Sequence, residues 1–319
     1  MEEKIMPKKP IEGVAALATK YLPCKEDGEL DKESFRRHLR WMIEKGVDAI
    51  GVNAGADFHY SDAERKEITK ILVDEVNGKV PCYMGASAFD TETAVKRAKE
   101  VQDAGTDAIF MTGPPIDHPL GSDPVNDIVE HFHRVSEAVS IPVGFYNTPS
   151  AWPGVMPPET IRKIEKAAPM VQFVKAGPRD MMSYTTMVNG MVESRIKIIA
   201  GKSYFQFHQL HSMWDKPNRP VGLTGYIAGV LPAEHVLMWK EFKSGNIDKA
   251  RHIWQLKILP LVDLMYGFQF GWTEDIMPQE VLKQMGLIKT SRTPHSTKGV
   301  GEYLKKEIGK YLEQVKPEY

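Results

Sequence analysis

The chain is patterned as short apolar runs separated by amphipathic stretches. Most of the runs are continuous rather than alternating, which is typical of strands buried on both faces. Gly, Pro or Asn bounds many of the runs. Each run is also short enough to be a single strand. The runs are Val14–Thr19, Ala49–Val52, Val80–Gly85, Ala108–Thr112, Val143–Asn147, Val171–Gly177, Ile196–Gly201 and Gly222–Ile227.

The stretches between the runs carry helical signals. Ser34 to Lys45 has helical spacing of its apolar residues and is followed by Gly46, and Ser61 with Glu64 resembles a capping box. Strict alternation of strands and helices favours a parallel sheet, and eight units are what a closed (β/α)8 barrel needs. We therefore predict an α/β protein with a TIM barrel. An open doubly wound sheet is the alternative, but no Gly-rich phosphate-binding fingerprint follows the first strand.

The pattern changes from Pro232 onward, where amphipathic helices follow one another without apolar runs between them. No low-complexity segment or long linker precedes this change. We predict a barrel over residues 1–232 that carries the active site. Residues 233–319 are predicted to form a C-terminal helical region packed on the barrel wall.

Two residues with chemical potential end neighbouring strands of the predicted barrel. Tyr146 lies near the end of the fifth run and Lys175 near the end of the sixth. Active sites of (β/α)8 barrels are built at the carboxyl ends of the strands. The apolar neighbours Val171, Phe173 and Val174 predict a poorly solvated Lys175, and desolvation lowers the pKa of a lysine. A lysine that attacks a carbonyl as the free amine needs such an environment.

Composition and charge narrow the choice of partners. The 319 residues include 41 Lys and Arg and 42 Asp and Glu, giving a formal net charge of −1. This balance gives no electrostatic reason to expect nucleic acid or an anionic membrane as a partner. Cys24 and Cys82 lack metal or disulfide spacing, and residues 1–10 lack the apolar core of a signal peptide. We expect a cytoplasmic protein without a metal site, and we interpret His208 and His211 as structural or surface residues.

The motifs and their order resemble the dihydrodipicolinate synthase / N-acetylneuraminate lyase family of class I, pyruvate-using enzymes. The resemblance extends from Gly13 to about Leu287, and each motif is weak alone but their order on alternating strands is specific. The motifs are Gly51 to Gly55 followed by Ser61-x-x-Glu64-Arg65, Phe145-Tyr146-Asn147-x-Pro149, Val174-Lys175, Ala200-Gly201 and Gly222-x-x-Gly225-x-Ile227.

This resemblance implies a role for each matching residue. Lys175 would form an imine with pyruvate or another 2-keto acid, and Tyr146 would transfer protons to and from the substrate. The loop Asn53-Ala54-Gly55 would offer backbone N–H groups to the substrate carboxylate, while Gly201 and Ile227 would flank the keto acid. The covalent imine implies that no cofactor is needed. The expected partners are a 2-keto acid and an aldehyde, and the expected assembly is a homotetramer or dimer.

The chain also departs from the family pattern. Members commonly carry two hydroxyl residues where this chain has Asn53 and Ala54, and a Glu where it has Ala56. The synthases place a carboxylate-binding arginine where this chain has Ala151, followed by Trp152. No tyrosine occurs in Thr112–His118, where the synthases carry a relay tyrosine. We therefore predict an atypical member whose second substrate, contacted near Ala151 and Trp152, is less anionic than aspartate semialdehyde and bulkier.

Several functional interpretations stay open at this stage. The first is a Schiff-base lyase or aldolase that forms or cleaves a carbon–carbon bond. A 4-hydroxy-tetrahydrodipicolinate synthase and a 2-keto-3-deoxy sugar acid dehydratase use the same intermediate and are alternatives. A non-catalytic relative that binds a keto acid is an alternative of another class, although retention of Lys175 and Tyr146 counts against it. A metal-dependent barrel aldolase would need a cluster of carboxylates and histidines on strand ends, which the sequence does not offer.

Overall fold

A computed structural model describes most of the chain. The described residues are 11–52, 57–114, 123–149, 154–178, 180–201, 203, 205–266, 276–294 and 299–316.

Eight parallel strands form a closed barrel in which each strand pairs with its neighbours in chain order. The seam joins β1 to β8, with Gly13 opposite Gly222 and Ala16 opposite Gly225. The predicted (β/α)8 barrel is confirmed, and the pairing of β8 with β1 excludes an open sheet. The strands are β1 (Gly13–Leu17), β2 (Ala49–Gly51), β3 (Cys82–Gly85), β4 (Ala108–Met111), β5 (Val143–Asn147), β6 (Val171–Ala176), β7 (Lys197–Ala200) and β8 (Gly222–Gly225).

Helices connect the strands and continue past the last one. The predicted capping box is present, since the Ser61 hydroxyl accepts from the Glu64 N–H and the Glu64 carboxylate accepts from the Ser61 N–H. A π-helical turn, Trp254–Ile258, lies between α10 and α11. The helices are α1 (Lys32–Glu44), α2 (Asp62–Val76), α3 (Thr91–Asp103), α4 (Pro124–Ala138), α5 (Pro158–Ala167), α6 (Met181–Gly190), α7 (Gln206–Met213), α8 (Tyr226–Val230), α9 (Pro232–Lys243), α10 (Ile247–Ile253), α11 (Leu259–Tyr266), α12 (Met277–Gln284) and α13 (Glu302–Val315).

Two separate apolar clusters fill the molecule. The outer cluster lies between strands and helices and includes residues of the C-terminal helices, such as Met238 and Val281. Because side chains alternate along a strand, Phe173 lies inside the barrel and Val174 outside, so Lys175 faces inside again. What we call the interior cluster consists of Ile11, Ala15, Leu17, Ala49, Tyr83, Ala108, Phe110, Tyr146, Phe173, Ile199 and Tyr226.

The C-terminal helices pack on the barrel, and one of them reaches its mouth. The division predicted after residue 232 falls at the first residue of α9, and both α8 and α9 contact β1, so the division stays a prediction. Gln279 of α12 is fully buried and donates to the Thr19 hydroxyl at 3.1 Å and to the Tyr21 carbonyl. The C-terminal region thus supports the loop that follows β1. Within the described residues, every helix is too short or too polar to cross a membrane.

Candidate active site

Lys175 and Tyr146 lie side by side at the carboxyl ends of β6 and β5. The two residues are direct partners in the strand register, and both are buried, with 8% and 5% of their surface exposed. The Lys175 Nζ lies 4.8 Å from the centroid of the Tyr146 ring. The structure therefore brings together the two residues that the sequence singled out, inside the barrel and at the end where barrel active sites are built.

Gly201 leaves the space that the Lys175 side chain occupies. It directly follows β7, whose Ile199 pairs with Lys175. A Cβ atom at position 201 would lie 2.3 Å from the Lys175 Cγ and 2.9 Å from its Cε. Since real contacts of this kind are much longer, any side chain at position 201 would displace the lysine. Gly201 thus lies beside Lys175, and its assignment to the keto acid stays a prediction.

Ile227 lies elsewhere. It is fully buried in α8 and belongs to the outer cluster, so the structure does not bring it together with Lys175. The residues near the end of β8 that face the interior are Thr224, which contacts Tyr83, and Tyr226. The Tyr226 ring centroid lies 5.9 Å from the Lys175 Nζ. Sequence reasoning missed Tyr226, although alternation along β8 past Thr224 was a signal that could have found it.

Aromatic rings form the floor beneath Lys175 and Tyr146. Phe110 lies at their centre, with its ring centroid 4.8 Å from that of Tyr83, 6.0 Å from that of Tyr146 and 6.2 Å from that of Phe173. Burial raises the pKa of Tyr83, and its hydrogen bond with Thr224 opposes that rise. The floor therefore consists of packed aromatic rings, and its phenol stays protonated.

A buried ion pair lies at the carboxyl ends of β2 and β3. Arg65 of α2 donates to the Asp57 carboxylate and to the Gly85 carbonyl, the latter at 2.7 Å. Asp57 also accepts from the Ser87 N–H at 2.7 Å, and the Ser87 hydroxyl accepts from the Thr112 N–H at 3.0 Å. Burial raises the pKa of the Asp57 carboxyl, and the Arg65 guanidinium opposes that rise. Together these hydrogen bonds link the segments that follow β2, β3 and β4. The Asp57 carboxylate neutralises the charge of Arg65.

Other residues singled out by the sequence have different outcomes. Asn53, Ala54, Gly55, Ala151 and Trp152 lie outside the described residues, so their assignment to substrate binding stays a prediction. Across the part of the chain that the structure describes, no group of three or more His, Cys, Asp and Glu residues could hold a metal ion.

The histidines of α7 and the segment after it face the C-terminal helices. The His208 ring packs edge-on against Trp254, and His211 stacks on Phe207. Trp214 packs against Trp239 of α9 at 5.6 Å between ring centroids. These contacts place the histidines in aromatic packing on the outside of the barrel.

A known protein family matches the sequence of this chain over almost its whole length. The model of the Dihydrodipicolinate synthetase family matches residues 13–314. The chain belongs to this family. Members of the dihydrodipicolinate synthetase family are Schiff-base-forming lyases, and this chain is an enzyme of that class.

Among curated relatives, the chain is similar to two proteins named 4-hydroxy-tetrahydrodipicolinate synthase. The one from Methanopyrus kandleri is 28% identical over 289 residues, covering 88% of this chain and 90% of the relative. The one from Caldicellulosiruptor bescii is 28% identical over 299 residues, covering 92% and 95%. At 28% identity, these names state the activity of the relatives and do not assign it to this chain.

Solved structures of the dihydrodipicolinate synthetase family share the fold. A monomeric dihydrodipicolinate synthase variant superposes with a TM-score of 0.85 at 23% identity, covering 98% of this chain and 100% of its own. Dihydrodipicolinate synthase from Thermotoga maritima gives a TM-score of 0.83 at 24% identity, covering 96% and 99%. A prophage protein of E. coli K12 in complex with pyruvate gives 0.81 at 19% identity, covering 97% and 100%.

Proposed function

We propose that this enzyme is a class I aldolase or lyase that acts on pyruvate or another 2-keto acid through an imine at Lys175. The observation that carries the proposal is the buried pair of Lys175 and Tyr146, partners in register with the amine 4.8 Å from the phenol ring centroid. A buried amine loses its proton more easily than an exposed one, and a nearby phenol can move protons. Both properties are what imine chemistry requires.

The proposed reaction uses these two residues in sequence. The Lys175 amine attacks the keto carbon, and loss of water gives an imine whose protonated form withdraws electrons. In cleavage, a hydroxyl proton leaves the substrate and the electron pair of the breaking carbon–carbon bond moves into the imine, which releases an aldehyde and leaves an enamine. Tyr146 accepts and returns the protons of these steps. Protonation of the enamine and hydrolysis of the imine then restore the lysine, and the reverse sequence joins a keto acid to an aldehyde.

Borohydride trapping tests the imine. The protein is incubated with pyruvate, then with other 2-keto acids, and reduced with borohydride. We expect a permanent adduct that peptide mapping assigns to Lys175. The Lys175→Arg variant, which keeps the positive charge but cannot form an imine, is the matched control and should give no adduct. Absence of an adduct in the unaltered protein with every keto acid would reject the proposal and favour a non-catalytic keto-acid-binding protein.

The second substrate is proposed to be less anionic than aspartate semialdehyde. Ala151 replaces the arginine that the family resemblance predicts for a carboxylate. Arg65, the buried arginine at the strand ends, is already paired with Asp57 and does not offer a free charge. We expect neutral aldehydes to be turned over in preference to aspartate semialdehyde when both are supplied with pyruvate. Preference for aspartate semialdehyde would instead favour a 4-hydroxy-tetrahydrodipicolinate synthase, the name that the curated relatives carry.

The same assay separates cleavage from dehydration. A 2-keto-3-deoxy sugar acid that yields pyruvate and an aldehyde supports an aldolase, and one that only loses water supports a dehydratase. No cofactor enters the proposal, because the covalent imine supplies the electron sink. A homo-oligomeric assembly, dimer or tetramer, and a cytoplasmic location complete the proposal.

A further inference from the structure

Lys175 lies between the rings of two tyrosines. The Nζ atom is 4.8 Å from the Tyr146 ring centroid and 5.9 Å from that of Tyr226. These tyrosines come from β5 and from the start of α8, on either side of β6 and β7 in the barrel order. Both are buried, with 5% and 8% of their surface exposed. The Lys175 amine is thus close to two aromatic rings that come from different parts of the barrel.

The position of Tyr226 is fixed by the end of β8. The Thr224 carbonyl accepts a hydrogen bond of 2.8 Å from the Gln206 side chain, and the Thr224 hydroxyl lies 3.2 Å from the Tyr83 hydroxyl. Gly225 follows, and a Cβ atom there would lie 2.8 Å from the Ser203 Oγ. The backbone before Tyr226 is therefore held from inside the barrel and from α7. This anchoring limits the movement of the Tyr226 ring relative to Lys175.

The face of an aromatic ring attracts a cation. The interaction is electrostatic, extends to about 6 Å from the ring centroid and is stronger where water is excluded. It favours the ammonium form of a free lysine and, once an imine has formed, its protonated form. It therefore opposes the effect of burial, which favours the neutral amine. Other ionisable groups near this end of the barrel are the Tyr83 phenol and the Asp57–Arg65 pair.

We propose that Tyr226 and Tyr146 form an aromatic clamp that stabilises positive charge on the Lys175 nitrogen. The inference deepens the proposed function, and rests on it, because the protonated imine is the species that withdraws electrons from the substrate. Tyr226 acts through its ring face, while the hydroxyl of Tyr146 transfers protons. The clamp favours the cationic form of the nitrogen in the covalent intermediate.

Two variants separate the ring of Tyr226 from its hydroxyl. Tyr226→Leu removes the ring, and Tyr226→Phe keeps it. Phe242→Leu is the control for loss of a buried ring, because Phe242 is fully buried in the outer cluster against Phe207 and Trp214. Circular dichroism and thermal unfolding of the three variants identify a temperature at which all of them are folded, and the measurements are made there.

The first measurement needs no keto acid. Trace acetylation of Lys175 with acetic anhydride, followed by peptide mapping across a range of pH, gives the apparent pKa of its amine. We expect Tyr226→Leu to lower that apparent pKa by about 0.4 to 1.5, while Tyr226→Phe and Phe242→Leu leave it unchanged. An unchanged pKa in Tyr226→Leu would overturn the clamp. An equal decrease in Tyr226→Phe would assign the effect to the hydroxyl and would also overturn it.

The second measurement follows the imine. We expect Tyr226→Leu to lower the fraction of Lys175 trapped by pyruvate and borohydride, through an imine equilibrium weakened by about twofold to thirtyfold. Equal trapping in Tyr226→Leu and the unaltered protein would contradict the clamp. If the unaltered protein traps no imine while the acetylation shift is present, the proposed function fails and the effect of Tyr226 on the amine stands. The two failures are therefore distinguishable.

Discussion

Among the described residues, Arg65 and Lys175 are basic side chains buried at the carboxyl ends of the strands, and the protein surrounds them differently. Arg65, 5% exposed, is matched by the Asp57 carboxylate and bound to the Gly85 carbonyl. Lys175, 8% exposed, has the rings of Tyr146 and Tyr226 on two sides. A guanidinium is always charged, and its pairing with a buried carboxylate joins separate strands. Aromatic faces favour a positive charge more weakly, so the amine can still lose its proton and react. Arg65 thus joins structural elements, whereas the surroundings of Lys175 fit the imine chemistry proposed for it.

Removing the amine of Lys175 should have the largest effect on activity. Lys175→Met keeps an unbranched apolar side chain but cannot form an imine. We expect turnover to fall to the background rate, because the covalent step is lost. The free energy of unfolding should change by less than about 1.5 kcal/mol, as for other swaps that conserve volume. Enzyme assay and urea unfolding test both parts. Residual imine-dependent turnover would show that another amine carries the reaction.

Removing Arg65 should have the opposite result. Arg65→Met leaves the Asp57 carboxylate buried without its partner, which costs about 3–5 kcal/mol of stability. The double variant Arg65→Met with Asp57→Leu should recover most of this loss, because no unpaired charge remains. Urea unfolding near pH 7 measures both. If the double variant is as unstable as the single one, packing around Arg65, and not its charge, explains the loss.

Buried histidines offer a third arrangement, in which a base is kept neutral. Burial lowers the pKa of His38, His131 and His235 to about 4, from the ordinary histidine value of 6.5. The folded state therefore binds fewer protons than the unfolded state as the pH falls. The stability that the neutral histidines contribute is fully present above pH 6.5 and is lost as the pH falls toward 4. At pH 4.5 the free energy of unfolding should have decreased by about 2–3 kcal/mol for each histidine.

Unfolding by urea at pH 7.5 and pH 4.5 measures this loss of stability. His38→Gln is the informative variant, because His38 contacts the Gly229 carbonyl at 2.7 Å and a glutamine amide can donate there without titrating. We expect a smaller decrease in stability between the two pH values for this variant. An unchanged pH dependence would mean that His38 does not titrate in this range.

The smallest effect concerns the space beside Lys175. Gly201→Ala places a Cβ atom against the lysine stem, which should cost about 1–3 kcal/mol of stability. Displacing the amine should also slow imine trapping by about tenfold to a hundredfold. Gly309→Ala in α13 is the matched control, because a Cβ there meets its nearest neighbour at 3.4 Å. Unaltered trapping in Gly201→Ala would mean that the lysine relocates at no cost to its reactivity.

The sequence predicts the barrel well because its strands are buried on both faces and its helices carry local signals. Tyr146 and Lys175 could be paired from sequence because they end consecutive strands, which are neighbours in a parallel barrel. The contact of Asp57 with Arg65 is harder to predict, since it joins a loop to a helix across eight positions with no periodic signal. Ile227 follows from the family motif, whereas Tyr226 follows from the alternation of side chains past Thr224, which continues into the first residue of the helix.

The seam between β1 and β8 has a consequence for how the protein is made. While a ribosome is still synthesising the middle of the chain, β1 has no partner for one of its edges, and each newly added strand exposes another. Unpaired strand edges are sites of aggregation, and pairing between distant segments is slow to form. The unpaired N–H and C=O groups on that edge of β1 therefore wait for Gly222–Gly225, so the pairing of β8 with β1 is the step that removes the last exposed edge of the barrel.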